Sequence, residues 1–189
     1  MRRRGFLATA LTATSTAIAG CGLPDSRTEH TNPTVTHDDH DNAKYLEFRG
    51  DNTEFAIVGV DPNLDATPSG LFVSISHRVD TRLQSLTQRF VTPDSDGAQL
   101  RLSVQPPEDG ESPNPPISLS RDDSAAVLVV DEFGALADES VFITLSISHW
   151  PESARRLVVE NTMELIETEA PDHTHILNGQ LEFSVAADI

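Results

Sequence analysis

Two stretches of this chain alternate apolar and polar residues in the same phase and end on the same four residues. Leu71, Val73 and Ile75 fall on one side of an extended backbone with Phe72, Ser74 and Ser76 on the other, and Ile143, Leu145 and Ile147 stand against Thr144, Ser146 and Ser148 in the same way. A period of two marks a strand with one buried face, and a slip of one residue would turn every apolar side chain to water. Further short apolar segments lie at 45–49, 55–60, 83–91, 100–104, 117–119, 125–130, 156–160, 163–167 and 181–185, separated by turn residues. This spacing predicts an all-β chain, an immunoglobulin-like or related β-sandwich. Segment 80–91 is the exception, because Leu83, Leu86 and Phe90 also fit helical spacing with Asp80 or Thr81 as a cap, so strand and helix both remain open there.

The shared phase extends into a longer self-similarity. An offset of 72 aligns Tyr45–His77 with Ile117–His149 without a gap, and eight of the 33 positions are identical, among them Ser74-Ile75-Ser76-His77 with Ser146-Ile147-Ser148-His149. Gln99–Val104 resembles Gln180–Val185 at an offset of 81, which places nine extra residues in a longer loop near 169–179 of the second copy. The expectation is a duplicated unit of about five strands, repeat 1 over 44–105 and repeat 2 over 117–189, with the Pro-rich 106–116 as linker or surface loop. Each copy is small for independent stability, so the two are expected to pack face to face, with two separate beads as the other arrangement.

Before the repeats, Arg3-Arg4-Gly5-Phe6-Leu7 opens a short run diluted by threonine and serine that ends in Ile18-Ala19-Gly20-Cys21. The run is too short and too polar to span a bilayer, and its order is that of a cleaved export signal over 1–20. Arg3, Arg4, Phe6 and Leu7 match the twin-arginine pattern, and 18–21 resembles a lipobox. The leader therefore resembles that of haloarchaeal-type twin-arginine-exported lipoproteins. That resemblance implies a diacylglyceryl-type lipid on Cys21 and a position on the extracytoplasmic face of the membrane. Cys21 is the single cysteine, so the remainder cannot form an internal disulfide and depends on its core for stability. Residues 21–43, rich in Asp, Thr, Asn and His, read as the lipidated Cys followed by a disordered tether. A flexible segment of that length spans roughly 25 Å.

The whole chain carries 13 basic and 30 acidic residues, and the leader holds three of the basic ones, leaving 10 against 30, a formal charge of −20. Lysine occurs once, at Lys44. Abundant carboxylates with almost no lysine resemble the proteins of salt-loving archaea, and at 1 M salt a Debye length of about 3 Å removes most of the self-repulsion. The acidic coat then serves solubility. No clustered Lys or Arg is present to contact phosphates, which argues against nucleic-acid binding.

The residues with coordination chemistry are histidines. His173 and His175 are two apart, which puts both rings on one face of an extended strand and suits zinc or copper. His77 and His149 occupy equivalent positions in the two copies, and pseudo-symmetry would bring them together, unless each closes the rim of the core through a carbonyl. His37 and His40 in the tether form a third pair. There is no Gly-x-Ser-x-Gly elbow, phosphate loop or dinucleotide fingerprint, and each neighbouring Ser-His pair points to opposite faces of its strand. The reading is a non-catalytic binding or structural module at the cell surface, without a cofactor and with a possible cell-surface protein partner. The alternative is a zinc- or copper-binding protein using His173 and His175. A hydrolase-like enzyme with a cleft between the repeats stands third.

Overall fold

The computed structural model describes residues 26–38, 42–50, 53–64, 69–95, 99–106, 116–122, 124–133 and 140–185. Twelve strands follow in chain order among the described residues: β1 (Ser26–His30), β2 (Thr34–His37), β3 (Lys44–Gly50), β4 (Thr53–Asn63), β5 (Gly70–His77), β6 (Thr81–Val91), β7 (Arg101–Val104), β8 (Ile117–Arg121), β9 (Ala125–Phe133), β10 (Val141–His149), β11 (Arg156–Glu167) and β12 (His173–Ser184). They form two six-stranded sheets, ordered β1-β12-β11-β6-β9-β8 and β2-β3-β4-β5-β10-β7. The chain is all-β, and the alternating apolar residues meet between the sheets. Leu46, Val58, Leu71 and Leu145 from one sheet and Leu86, Leu128, Leu157 and Met163 from the other are fully buried in one cluster.

Of segment 80–91, residues Thr81–Val91 form strand β6, and the helical-looking spacing has a local cause. Ser85 faces Glu164 while Leu83 faces Leu165, so Gln84 is an extra residue in the ladder. The bulge resets the phase, and the fully buried Gln88 interrupts what would otherwise read as apolar alternation from Leu86 to Phe90.

The two self-similar stretches interleave rather than forming two beads. β5 and β10 pair antiparallel with Phe72 opposite Thr144, its own counterpart at the 72-residue offset, and with Gly70–Ser146 and Ser74–Phe142 placed evenly on either side. The flanks do not follow this symmetry. The β3–β4 hairpin extends the sheet from β5, whereas the β8–β9 hairpin extends the other sheet from β6. β7 pairs with β10 while β12 pairs with β11. Each sheet thus takes strands from both copies.

The expected tether requires correction. Within 21–43, Ser26–His30 forms an edge strand parallel to β12, and Thr34–His37 pairs antiparallel with β3 in the opposite sheet. Both strands are largely exposed, so they lack the apolar alternation that reveals a strand in sequence. An edge strand is held by backbone hydrogen bonds, which any side chain permits. The leader with Arg3, Arg4, Phe6, Leu7 and Cys21, together with His40 and residues 107–115 of the Pro-rich segment, lies outside the described residues.

Candidate metal centre

At one end of the sandwich the β11–β12 hairpin turns through 168–172 and sets Glu167 beside the first residues of β12. The hairpin register pairs Leu165 with His175 and Ile166 with Thr174, so Glu167, His173 and His175 share the inward face. The turn is held by the His173 amide donating to the Ala170 carbonyl at 2.8 Å and the Thr168 amide donating to that of Asp80 at 2.8 Å. One ligand atom from each of Glu167, His173 and His175 lies within 4.8 Å of the others. His175 Nε2 is 2.9 Å from Glu167 Oε1, and His173 Nδ1 is 3.7 Å from the same oxygen.

The rings are locked by stacking. His173 and His175 lie nearly parallel with centroids 4.5 Å apart, and the buried Phe55 closes against His175 at 4.3 Å. The Arg78 guanidinium covers Phe55 at 4.6 Å from its ring centre. His175 is only 6 % exposed, while Glu167 and His173 remain partly open to solvent.

Two residues from β1 complete the cluster. His30 Nε2 lies 3.2 Å from His175 Nδ1, and Thr28 Oγ1 lies 3.0 Å from His173 Nε2. His30 also stacks on Phe55, with centroids 5.4 Å apart. Burial, followed by the nearby His175 and His173 rings, holds the His30 pKa below its ordinary value, which favours a neutral imidazole there.

The strand reading of His173 and His175 agrees with this arrangement, although the two residues open β12 and do not sit in the long loop expected near 169–179. Glu167, Thr28 and His30 were not legible as site residues. Glu167 is one carboxylate among thirty acidic groups, and His30 lies in a segment whose composition reads as tether. The sequence offered no short turn signal here, because 13 residues separate the apolar runs 163–167 and 181–185, and it is the early start of β12 at His173 that makes the hairpin and brings Glu167 toward it.

The other histidines stay apart. His77 and His149 do not converge, because β5 and β10 run antiparallel: Ile75 faces Val141 at one end of β10, whereas His149 closes the other. The length of β10 between those ends is about 26 Å. His77 Nδ1 instead engages the Arg78 carbonyl at 3.2 Å and Thr81 Oγ1 at 3.0 Å, the rim role, and its pKa is lowered chiefly by burial. His149 lines a hollow of about 250 Å³ with Leu64 and Trp150. His37 lines another of about 300 Å³ with Lys44, Phe183 and Ser184. Ser184 lies at the far end of β12 from His173, about 36 Å along the strand.

Residues 27–187 match the sequence family described as Domain of unknown function (DUF8121). The chain belongs to the DUF8121 family. No curated protein matches it. Among solved structures, the DUF8121 chain is similar to the yeast delta-COP-I mu-homology domain complexed with a Dsl1 WxWxV peptide, at 9% identity and a TM-score of 0.36, over 67% of this chain and 54% of that one. It is also similar to a chain in a structure titled as manganese lipoxygenase of Gaeumannomyces graminis with part of zonadhesin of Komagataella pastoris, at 11% identity and a TM-score of 0.35, over 77% and 56% of the respective chains. The DUF8121 chain therefore spans about half the length of these matches, and at such scores nothing is carried over from them.

Proposed function

We propose that this DUF8121 protein is a non-catalytic binding module, lipid-anchored through Cys21 on the extracytoplasmic face of the membrane, and that its ligand is zinc or copper held by Glu167, His173 and His175. The observation that carries the metal reading is the convergence of two imidazoles and one carboxylate within 4.8 Å on the inward face of a hairpin. Two nitrogens and one oxygen form a donor set suited to zinc, with a fourth position left for water or an exogenous ligand, and imidazole also suits copper. Membrane anchoring is supported by the leader residues alone.

A metal with an open position can activate water, but hydrolysis also needs a shaped substrate cleft beside it.

The test is metal content and thermal shift with Zn²⁺ and Cu²⁺ on the purified protein in molar salt. At metal concentrations 100-fold above Kd the stabilisation is about 2.7 kcal/mol, and it disappears in the His173→Ala/His175→Ala double variant. Absence of bound metal and of any shift in the wild type would refute the reading.

A second reading, a cell-surface protein partner, rests on the outer face of the other sheet. Phe142 is 74 % exposed and Phe72 42 % on the adjacent strands β10 and β5. Cross-linking on intact cells that is lost in Phe142→Ser would support it, and an unchanged pattern would count against it.

A further inference from the structure

The two hydrogen bonds from β1 reach the nitrogens of His173 and His175 that face away from Glu167. With metal on His175 Nε2 and His173 Nδ1, the nitrogens nearest the carboxylate, the opposite nitrogens carry hydrogen and must donate it. Thr28 Oγ1 stands 3.0 Å from one and His30 Nε2 3.2 Å from the other, and a hydroxyl oxygen and a neutral imidazole nitrogen can each accept. Both partners come from one five-residue strand. They reach their targets along the same diagonal, since Thr28 is level with His175 but bonds His173, and His30 is level with Leu177 but bonds His175.

Apart from these bonds and the stacking of His30 on Phe55, few contacts hold the β1 side chains. It is an edge strand paired with β12, three of its five residues are exposed, and its Arg27–Glu164 contact is a 3.8 Å surface pair of the kind that contributes little. The side-chain hydrogen bonds described for β1 are the two to the imidazole ligands.

We infer that Thr28 and His30 are positioning residues for the metal, and that metal occupancy and docking of β1 stabilise one another. This inference rests on the metal reading above. A coordinated metal fixes each ring's orientation and donor nitrogen, which strengthens the bond to β1, and a docked β1 fixes the same rings before the metal arrives. Linkage makes the two effects reciprocal. With a lipid on Cys21, only four residues, 22–25, separate the anchor from Ser26, and the five steps along the chain reach at most about 18 Å. Metal would then set how closely the domain is held to the membrane.

The full mature protein, purified in detergent and stripped of metal, is titrated with Zn²⁺ alone in competition with a chromophoric chelator. Amide exchange of residues 26–30 is followed with and without Zn²⁺. Thr28→Val and His30→Gln are each expected to weaken Zn²⁺ binding about 10- to 100-fold, a loss larger than the small drop in metal-free Tm that follows from removing one hydrogen bond. Thr28→Ser, which keeps the hydroxyl, retains wild-type affinity. Zn²⁺ slows exchange across 26–30 beyond any change in the remainder of the sheet. If the wild type binds Zn²⁺ but the variants bind equally well and exchange in 26–30 does not change, the inference fails and the metal reading stands. The inference also fails if Thr28→Ser weakens binding as much as Thr28→Val. If the wild type binds neither Zn²⁺ nor Cu²⁺, both fall.

Discussion

Gln88 on β6 and Asn161 on β11 face each other across the ladder and point into the core. Gln88 Nε2 donates to Asn161 Oδ1 at 2.7 Å, Asn161 Nδ2 donates to the Val159 carbonyl at 3.1 Å, and Gln88 Oε1 is buried without a partner among the described residues. Replacing Asn161 with Leu removes the acceptor for Gln88 and strands the whole amide in an apolar interior. The lost bond and the desolvated donor together cost about 2 to 4 kcal/mol. Adding Gln88→Met, which keeps the unbranched stem and removes both polar atoms, abolishes that penalty and the orphaned Oε1 as well. After allowance for overpacking of the slightly larger side chains, the double variant should be equal to or up to about 2 kcal/mol more stable than the wild type. The coupling energy is then at least about 2 kcal/mol. Urea unfolding at fixed molar salt measures it, and for a chain of this size each kcal/mol corresponds to roughly 2 to 4 °C in Tm. An Asn161→Leu variant as stable as the wild type, or a double variant no better than the single, would refute the argument, because either result means the pair is not desolvated.

Three other predictions follow from separate contacts. A Cβ on Gly179 would meet Leu46 Cδ1 and Pro33 Cγ at 2.9 Å each, so Gly179→Ala overpacks the contact between the sheets and should cost about 1 to 3 kcal/mol in urea unfolding; an unchanged midpoint would mean that the sheets do not meet there. Burial lowers the His77 pKa below 6.5, so the unfolded chain takes up the proton first: His77 should cause no loss above pH 6.5, and stability should fall as pH drops from there to the folded pKa. His77→Asn should flatten that part of the stability–pH curve between pH 7.5 and 5, and a curve identical to the wild type would remove His77 as its cause. Cys21→Ser should move the protein from the membrane fraction to the medium, and continued membrane association would refute lipid anchoring.

Side-chain burial on an inner strand leaves a periodic trace in sequence, and that trace was sufficient for the fold class. Leu71–Ser76 and Ile143–Ser148 could be read as strands before any contact was known, and His173 and His175 could be placed on one face because side chains alternate along an extended backbone. Counterparts at the 72-residue offset lie opposite one another in the β5–β10 pair, but the flanking hairpins join different sheets and do not repeat that symmetry. Edge strands escaped, because β1 and β2 are held by backbone hydrogen bonds that place no apolar demand on Ser26–His30 or Thr34–His37. Only the tertiary arrangement decided that the copies interleave, that antiparallel pairing sends His77 and His149 to opposite ends, and that Glu167, His173, His175, Thr28 and His30 meet. Those outcomes depend on which strand lies beside which and in what direction. A backbone ladder that accepts almost any side chain does not write that information into local sequence.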